Sequence, residues 1–216
     1  MILAIGDSNM YPACTEVQDA PDVNNMVSVF SSNLSRSFRC WSKNGASNHW
    51  IETHIEYFLA DHAWPQDTLL FVGWTSAERE EWPWLYNNVS VCGGPDFGVP
   101  VAMKARYEHW KQTLTEEYMQ GRIRMWHDRI YSCHLQLRNR GIPHLFWSTY
   151  DNFKSLQDHR DWHENFFQPY DQDGCMCRFL QSQNCKTLHN DPFHYDDHAH
   201  KVWATALSDH ARKYII

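Results

Sequence analysis

The sequence of 216 residues lacks several features that mark broad classes of protein. No apolar stretch approaches the ~18 residues that a membrane-spanning helix needs. No basic run is present that could release counterions from a nucleic acid or an anionic membrane. The formal net charge of −7 also disfavours binding to nucleic acids and to anionic membranes, because like charges repel. We therefore expect neither nucleic acid nor membrane among the partners.

The first residues also lack the pattern of a secretory signal. The apolar run 2–5 has no basic segment before it, and Asp7 follows almost at once. A signal peptide has a basic segment followed by a longer apolar one. Seven cysteines are an odd number, which favours reduced thiols over a disulfide framework. We therefore expect a cytoplasmic protein.

Strands and helices alternate along the chain. Short buried strands are predicted at 2–5, 38–41, 68–74 and 142–149. Helical spacing of apolar residues occurs at about 23–38, 47–59, 102–119, 123–140 and 198–214. This alternation predicts an α/β fold with a parallel sheet covered on both faces. No internal repeat divides the chain, so we expect one domain, 1–216, with insertions at about 76–100 and 150–190.

Two motifs could together form a nucleophilic site. Gly6-Asp7-Ser8 follows the first predicted strand, where ligands of parallel sheets bind. A serine hydroxyl is a weak nucleophile and needs a base, together with an acid that orients the base. Asp191-Pro192-Phe193-His194 precedes the last helix, and one turn would let the Asp191 carboxylate reach back to the His194 imidazole. Each motif alone is common in proteins of many functions.

Two further segments follow predicted strands. Asn44-Gly45-Ala46-Ser47-Asn48 comes after the second strand, and Gly73-Trp74-Thr75-Ser76 ends the third. Glycine permits close approach of the backbone, so the Gly45 N–H can point at an oxyanion. The sequence thus offers donors as well as a nucleophile at one edge of the predicted sheet.

These segments resemble the SGNH hydrolases, also called GDSL-type esterases and lipases. The matching blocks are Ile5-Gly6-Asp7-Ser8, Asn44-Gly45-Ala46-Ser47-Asn48, and Asp191-Pro192-Phe193-His194 with the trailing Ala199-His200-x-x-Trp203-Ala204. The resemblance implies a three-layer α/β/α sandwich with a flavodoxin-like parallel sheet. It implies Ser8 as nucleophile, His194 as base and Asp191 as the orienting acid. The Ser8 and Gly45 N–H groups would bind the oxyanion. It implies no metal or organic cofactor, and a small-molecule or polysaccharide ester as substrate.

One position departs from the family pattern. The third family block carries an asparagine whose side chain donates to the oxyanion, and Thr75 stands there in this sequence. Loss of one such donor costs about 2.7–4 kcal/mol of transition-state stabilisation. One hypothesis is an esterase in which the Thr75 hydroxyl is the third donor. The alternative is a weakly active or inactive binding or virion-associated protein, since the Gly-Trp-Thr-Ser block is reminiscent of bacteriophage members.

The aromatic and cysteine-rich segments each allow more than one interpretation. Trp74, Trp82 and Trp84 could line a cleft for a carbohydrate or another bulky ester, or could pack the first insertion onto the sheet. Cys175, Cys177, Cys185 and His189 could bind zinc, but their spacing is unfamiliar for a zinc site, so reduced thiols are favoured. The neighbouring His194, His198 and His200 could also join a metal site.

A charged run precedes Trp82. Glu78-Arg79-Glu80-Glu81 is most simply a solvated helical turn. The alternative is that Arg79 meets an acidic group of the substrate.

Overall fold

A computed structural model of the protein describes residues 1–10, 25–61, 63–65, 67–85, 87–93, 99–188 and 191–216. Its elements in chain order are β1 (Ile2–Gly6), α1 (Met26–Asn33), β2 (Phe38–Ser42), α2 (Asn48–Ala60), β3 (Leu69–Trp74), β4 (Glu80–Trp84), β5 (Asn87–Val91), α3 (Lys104–Thr113), α4 (Glu116–Asn139), β6 (His144–Ser148), α5 (Met176–Ser182), β7 (Thr187–Leu188), β8 (Asp191–Tyr195) and α6 (Asp197–Tyr214). A 3₁₀ turn, Ser8–Met10, follows β1.

The central sheet has four parallel strands in the order β2-β1-β3-β6. Alternate side chains of each strand point to opposite faces. In β3, Leu69 and Phe71 pack against the side covered by α1 and α6, whereas Leu70 and Val72 pack against the side covered by α2 and α4. This two-sided burial confirms the predicted α/β class with three layers.

A close contact fixes the β3–β6 register. Gly73 pairs with Trp147 on the neighbouring strand. A Cβ atom on Gly73 would lie 2.3 Å from Trp147 Cζ2, so the indole ring lies in the space that any side chain would need. Glycine at this position lets the large ring pack flat against the backbone.

The boundary between α3 and α4 differs from the prediction. The apolar spacing runs through 102–119, but α3 ends at Thr113 and α4 begins at Glu116. The Thr115 side chain accepts a hydrogen bond of 3.3 Å from Tyr118 N–H, and an N-cap residue of this kind starts a new helix.

Both insertions contain regular structure that the sequence did not predict. In the first, β4 and β5 form an antiparallel hairpin, and Trp82 and Val91 join α3 residues in a small separate core. In the second, Phe166 forms an isolated parallel bridge with Phe146 at the outer edge of β6.

One cysteine differs from the expectation of reduced thiols. Cys40 on β2 is disulfide-bonded. The free cysteines in the described part of the chain are Cys92, Cys133, Cys175, Cys177 and Cys185. None of the described helices combines the length and apolar character that crossing a membrane demands.

Candidate active site

The predicted site residues meet at the carboxyl edge of the sheet. Ser8 begins the 3₁₀ turn after β1, Gly45 lies in the turn between β2 and α2, and Thr75 directly follows β3. The order β2-β1-β3 places the first strand between the other two. A crevice between β1 and β3 is the usual ligand site of open parallel sheets, because the connections leave these strands in opposite directions.

Asp7 is the centre of the hydrogen-bond network at this edge. Its carboxylate is 1% exposed. Oδ1 accepts from Asn9 N–H at 3.0 Å and from Asn9 Nδ2 at 3.1 Å. Oδ2 accepts from Thr75 Oγ1 at 2.9 Å and from Arg79 Nη1 at 3.0 Å. One buried carboxylate therefore fixes the turn that carries Ser8 and connects it to the loop after β3.

Ser8 keeps its polar groups available. The residue is 8% exposed, and within the described residues its hydroxyl makes no hydrogen bond. The Ser8 and Gly45 N–H groups also have no acceptor in the part of the chain that the structure describes. Gly45 has a φ of +71°, and the turn is closed by a hydrogen bond of 3.0 Å from Ala46 N–H to Lys43 O. Two backbone donors at this edge of the sheet thus have no acceptor among the described residues.

Thr75 has every polar group engaged. Its N–H donates to Asn48 Oδ1 at 2.8 Å, and its carbonyl accepts from Asn48 Nδ2 at 3.2 Å and from Asn152 Nδ2 at 2.9 Å. The hydroxyl donates to Asp7, and the residue is fully buried. Two asparagine side chains therefore hold the backbone at the position where the family pattern has an asparagine.

His194 lies on a strand rather than in the expected turn. β8 packs beside the 3₁₀ turn that carries Ser8. The pairing jumps from Leu188–Asp191 to Thr187–Tyr195, so His194 lies in a bulged segment, and bulges change the direction of side chains. Within the described residues no hydrogen bond joins His194 to Ser8, so that contact stays a prediction. The Asp191 side chain lies outside the described part of the structure.

No family model and no curated protein matches the chain. Several solved structures are similar to it, and three of them are named here. They are a member of the lipolytic G-D-S-L family from Veillonella parvula DSM 2008 (TM-score 0.44, 12% identity, 98% of this chain and 96% of that one), a lipolytic protein of the G-D-S-L family from Desulfitobacterium hafniense DCB-2 (0.46, 11%, 97% and 98%), and the acetyl xylan esterase AlAXEase (0.46, 13%, 95% and 96%). Likenesses at this level do not establish a shared activity.

The tryptophans expected in a substrate cleft lie mostly in the interior. Trp74 is 1% exposed and packs edge-on against Phe146. Trp82 is 4% exposed and contacts Trp110 in the small core of the hairpin. Buried rings have no face open to a ligand, which favours the packing interpretation for these two residues. Trp84 is half-buried and keeps an accessible face.

The run 78–81 is not a solvated helical turn. Arg79 pairs with Asp7, Glu80 with Arg122 at 2.8 Å, and Glu81 with Lys43 at 2.6 Å. Burial is the largest influence and opposes the charged form of Arg79, but the Asp7 carboxylate and the smaller contributions of Tyr150, Cys92 and Glu78 together outweigh it, so the pKa of Arg79 is raised. The prediction failed because the partners come from distant parts of the chain.

The cysteine segment offers no metal site within the described residues. Cys175 is 3% exposed, and Cys177 and Cys185 are half-buried. Burial is the largest cause that raises the pKa of Cys177 to about 12, which keeps this thiol protonated at neutral pH. His189 lies outside the described residues.

Sequence reasoning missed two residues of this edge. Asn152 follows β6 by a few residues, and its Nδ2 donates a hydrogen bond to the Thr75 carbonyl. Asn9 donates a hydrogen bond to Oδ1 of Asp7. Asn9 is adjacent to the Gly-Asp-Ser motif, so its position was a usable signal. Asn152 lies in an irregular segment with no periodicity that could have indicated it.

Proposed function

We propose that the protein is a serine hydrolase that cleaves carboxylic esters, with Ser8 as nucleophile, His194 as base and Asp191 as the acid that orients His194. The substrate is a small-molecule or polysaccharide ester. No metal or organic cofactor takes part in the proposed reaction.

One observation carries the proposal: at this edge of the sheet the Ser8 hydroxyl, the Ser8 N–H and the Gly45 N–H have no partner among the described residues. Backbone N–H groups without an acceptor are donors that an oxyanion can use, so they support a nucleophilic site here. β8, which carries His194, packs against the same turn. These positions support the assignment of Ser8, His194 and the two N–H groups to one site.

The proposed reaction proceeds in two halves. Ser8 Oγ attacks the ester carbonyl carbon while its proton passes to His194, and the carbonyl oxygen becomes an oxyanion. The C–O bond to the alcohol then breaks, and the alcohol leaves with the proton from His194. Water attacks the acyl-enzyme in the same way, which releases the acid and restores Ser8.

A binding or virion-associated protein with weak hydrolysis is the second candidate. It is favoured by the engagement of the Thr75 hydroxyl with Asp7, since the hydroxyl proton is then not available to an oxyanion.

A fluorophosphonate probe separates the two functions, because it reacts only with an activated serine. We expect labelling of the wild-type protein at Ser8, located by peptide mass spectrometry. Labelling and hydrolysis of 4-nitrophenyl acetate should disappear in Ser8→Ala and in His194→Gln. Ser42→Ala is a matched control, since Ser42 ends the neighbouring strand β2 and its hydroxyl is buried without a partner.

The control should label like the wild-type protein. Absence of labelling together with absence of Ser8-dependent turnover would contradict the hydrolase and favour the binding protein. Labelling at another serine would contradict the assignment of Ser8.

A further inference from the structure

Thr75 is unable to supply a donor to the crevice. A hydroxyl has one proton, and that of Thr75 is donated to Asp7 Oδ2 at 2.9 Å. The residue is fully buried, and its N–H donates to Asn48. A reaction at Ser8 must therefore take any donor beyond the two backbone N–H groups from another residue.

Arg79 lies between the two segments that carry those backbone donors. Its Nη1 is 3.0 Å from Oδ2 of Asp7, which precedes Ser8, and 3.4 Å from the carbonyl oxygen of Ala46, which follows Gly45. Through Nη1 alone, the guanidinium group thus contacts both segments that carry the proposed oxyanion donors.

The remaining donors of Arg79 are available. Both of its hydrogen bonds leave from Nη1, and within the described residues Nε and Nη2 have no acceptor. Neither atom is among the buried polar atoms that lack a partner, so both reach solvent. The side chain as a whole is only 14% exposed, which weakens screening by water.

We infer that Arg79 is a catalytic residue that donates the third hydrogen bond to the oxyanion formed at Ser8, in the role first expected of Thr75. This inference rests on the proposed hydrolase function. Its basis is the position of the guanidinium group between Asp7 and Ala46, its two unengaged N–H-bearing nitrogens, and the engagement of the Thr75 hydroxyl.

The pairing with Asp7 suits this role. In the resting site the two opposite charges balance, so the buried guanidinium group does not require an anion to be present. When the carbonyl oxygen becomes negative, a donor already held in place stabilises the charge without reorganisation. The contribution therefore appears in the transition state and not in binding of a neutral ester.

The test compares steady-state hydrolysis of 4-nitrophenyl acetate by the wild-type protein, Arg79→Gln and Thr75→Val. We expect Arg79→Gln to lower kcat by about 100- to 1,000-fold while KM changes by less than about threefold. Thr75→Val should lower kcat much less than Arg79→Gln does, because its hydroxyl donates to Asp7 and not to the oxyanion.

A merely structural role is distinguished by a double variant. Arg79→Gln leaves the Asp7 carboxylate buried without its cation, which could disturb the turn of Ser8. Asp7→Asn/Arg79→Gln removes that charge as well. If Arg79 only balances Asp7, the double variant should recover most of the lost kcat. If Arg79 donates to the oxyanion, kcat should stay low.

Arg129→Gln is the control for loss of an ion pair elsewhere. Arg129 pairs with Glu52 through two hydrogen bonds between α4 and α2, away from the crevice. The kcat of Arg129→Gln should match that of the wild-type protein. Unchanged kcat in Arg79→Gln, or recovery in the double variant, overturns the inference but not the hydrolase. Absence of Ser8-dependent turnover in the wild-type protein overturns both.

Discussion

Asp7 shows how a single side chain organises the candidate site. Four donors from three residues converge on its two oxygens, and all of them are buried or half-buried. Burying such a carboxylate costs free energy unless its two oxygens accept hydrogen bonds. Its network also explains why Thr75, a short hydroxyl residue, occupies the first position after β3.

We predict that Thr75→Val destabilises the protein more than it slows the reaction. The valine keeps the shape of the side chain and deletes the donor to Asp7, which leaves a buried oxygen one bond short. The free energy of unfolding, measured by urea denaturation, should fall by about 1–3 kcal/mol. Thr53→Val is the control, since its exposed hydroxyl donates only within α2. A stability equal to that of wild type would show that the hydroxyl bond to Asp7 contributes nothing.

The site residues on strand ends could be predicted from the sequence, whereas the loop residues could not. Ser8 and Gly45 follow short apolar runs, so the parallel sheet alone places them at one edge. Arg79 and Asn152 reach the site from irregular segments. Their positions depend on pairings with Asp7 and Thr75 that are far apart in sequence, and no local pattern encodes such contacts.

At the scale of the elements, β1, β3 and β6 were predicted well because each is a largely apolar run buried on both faces, whereas the edge strand β2 is partly exposed. The two helices α3 and α4 were predicted separately, but the boundary between them was placed too late in the chain, since apolar spacing continues across the Thr115 cap. The β4–β5 hairpin was missed because its aromatic residues face a small core of their own. β8 was missed because Asp-Pro is typical of turns.

We predict that Gly73→Ala disrupts the packing of β3 against β6. The added Cβ would lie 2.3 Å from Trp147 Cζ2, and the ring is fully buried, so strand or ring must move. The free energy of unfolding should fall by about 1–3 kcal/mol. Gly121→Ala is the matched control. A Cβ there meets no atom within 4 Å, and alanine in the helix α4 should stabilise by about 0.5–1 kcal/mol. Equal effects of the two substitutions would contradict this account.

We also predict that Glu81 on β4 holds the loop of Gly45 in place. Its carboxylate pairs with Lys43 at 2.6 Å, accepts from Ser47 N–H at 3.3 Å and accepts from Ser90 Oγ at 2.9 Å. Glu81→Gln should lower the free energy of unfolding by about 1–3 kcal/mol and also lower kcat for 4-nitrophenyl acetate. Glu108→Gln removes an exposed pair with Lys111 and should change neither quantity. A loss of stability without a loss of kcat would show that Glu81 does not position the Gly45 loop for the reaction.

For the molecule as a whole, two buried histidines link stability to pH. His144 Nδ1 donates to Ile142 O at 2.8 Å, which leaves its Nε2 as acceptor for His134 Nδ1 at 2.9 Å. Both rings are at most 1% exposed. Burial is the main cause that lowers the pKa of each from 6.5 to about 4. The folded protein thus contains a neutral, buried histidine pair at the amino-terminal end of β6, which is the end opposite the candidate site.

We predict that this pair makes the protein sensitive to mild acid. In the unfolded chain both histidines titrate near pH 6.5, so between pH 6.5 and pH 4 the unfolded state binds more protons than the folded state. Stability from the pair is therefore complete above pH 6.5 and is lost as the pH falls towards 4. The free energy of unfolding should fall by about 2 kcal/mol for each histidine between pH 7.5 and pH 5.

The measurement is urea denaturation at the two pH values for the wild-type protein and for His134→Leu/His144→Leu. Replacing both partners by apolar groups removes the buried acceptor together with its donor, so the double variant should remain folded at pH 7.5. Its stability should change much less between the two pH values. A residual loss is expected from His127 and His200, whose pKa values are also lowered mainly by burial. If the double variant loses as much stability as wild type, the acid sensitivity originates in those other histidines and not in the pair.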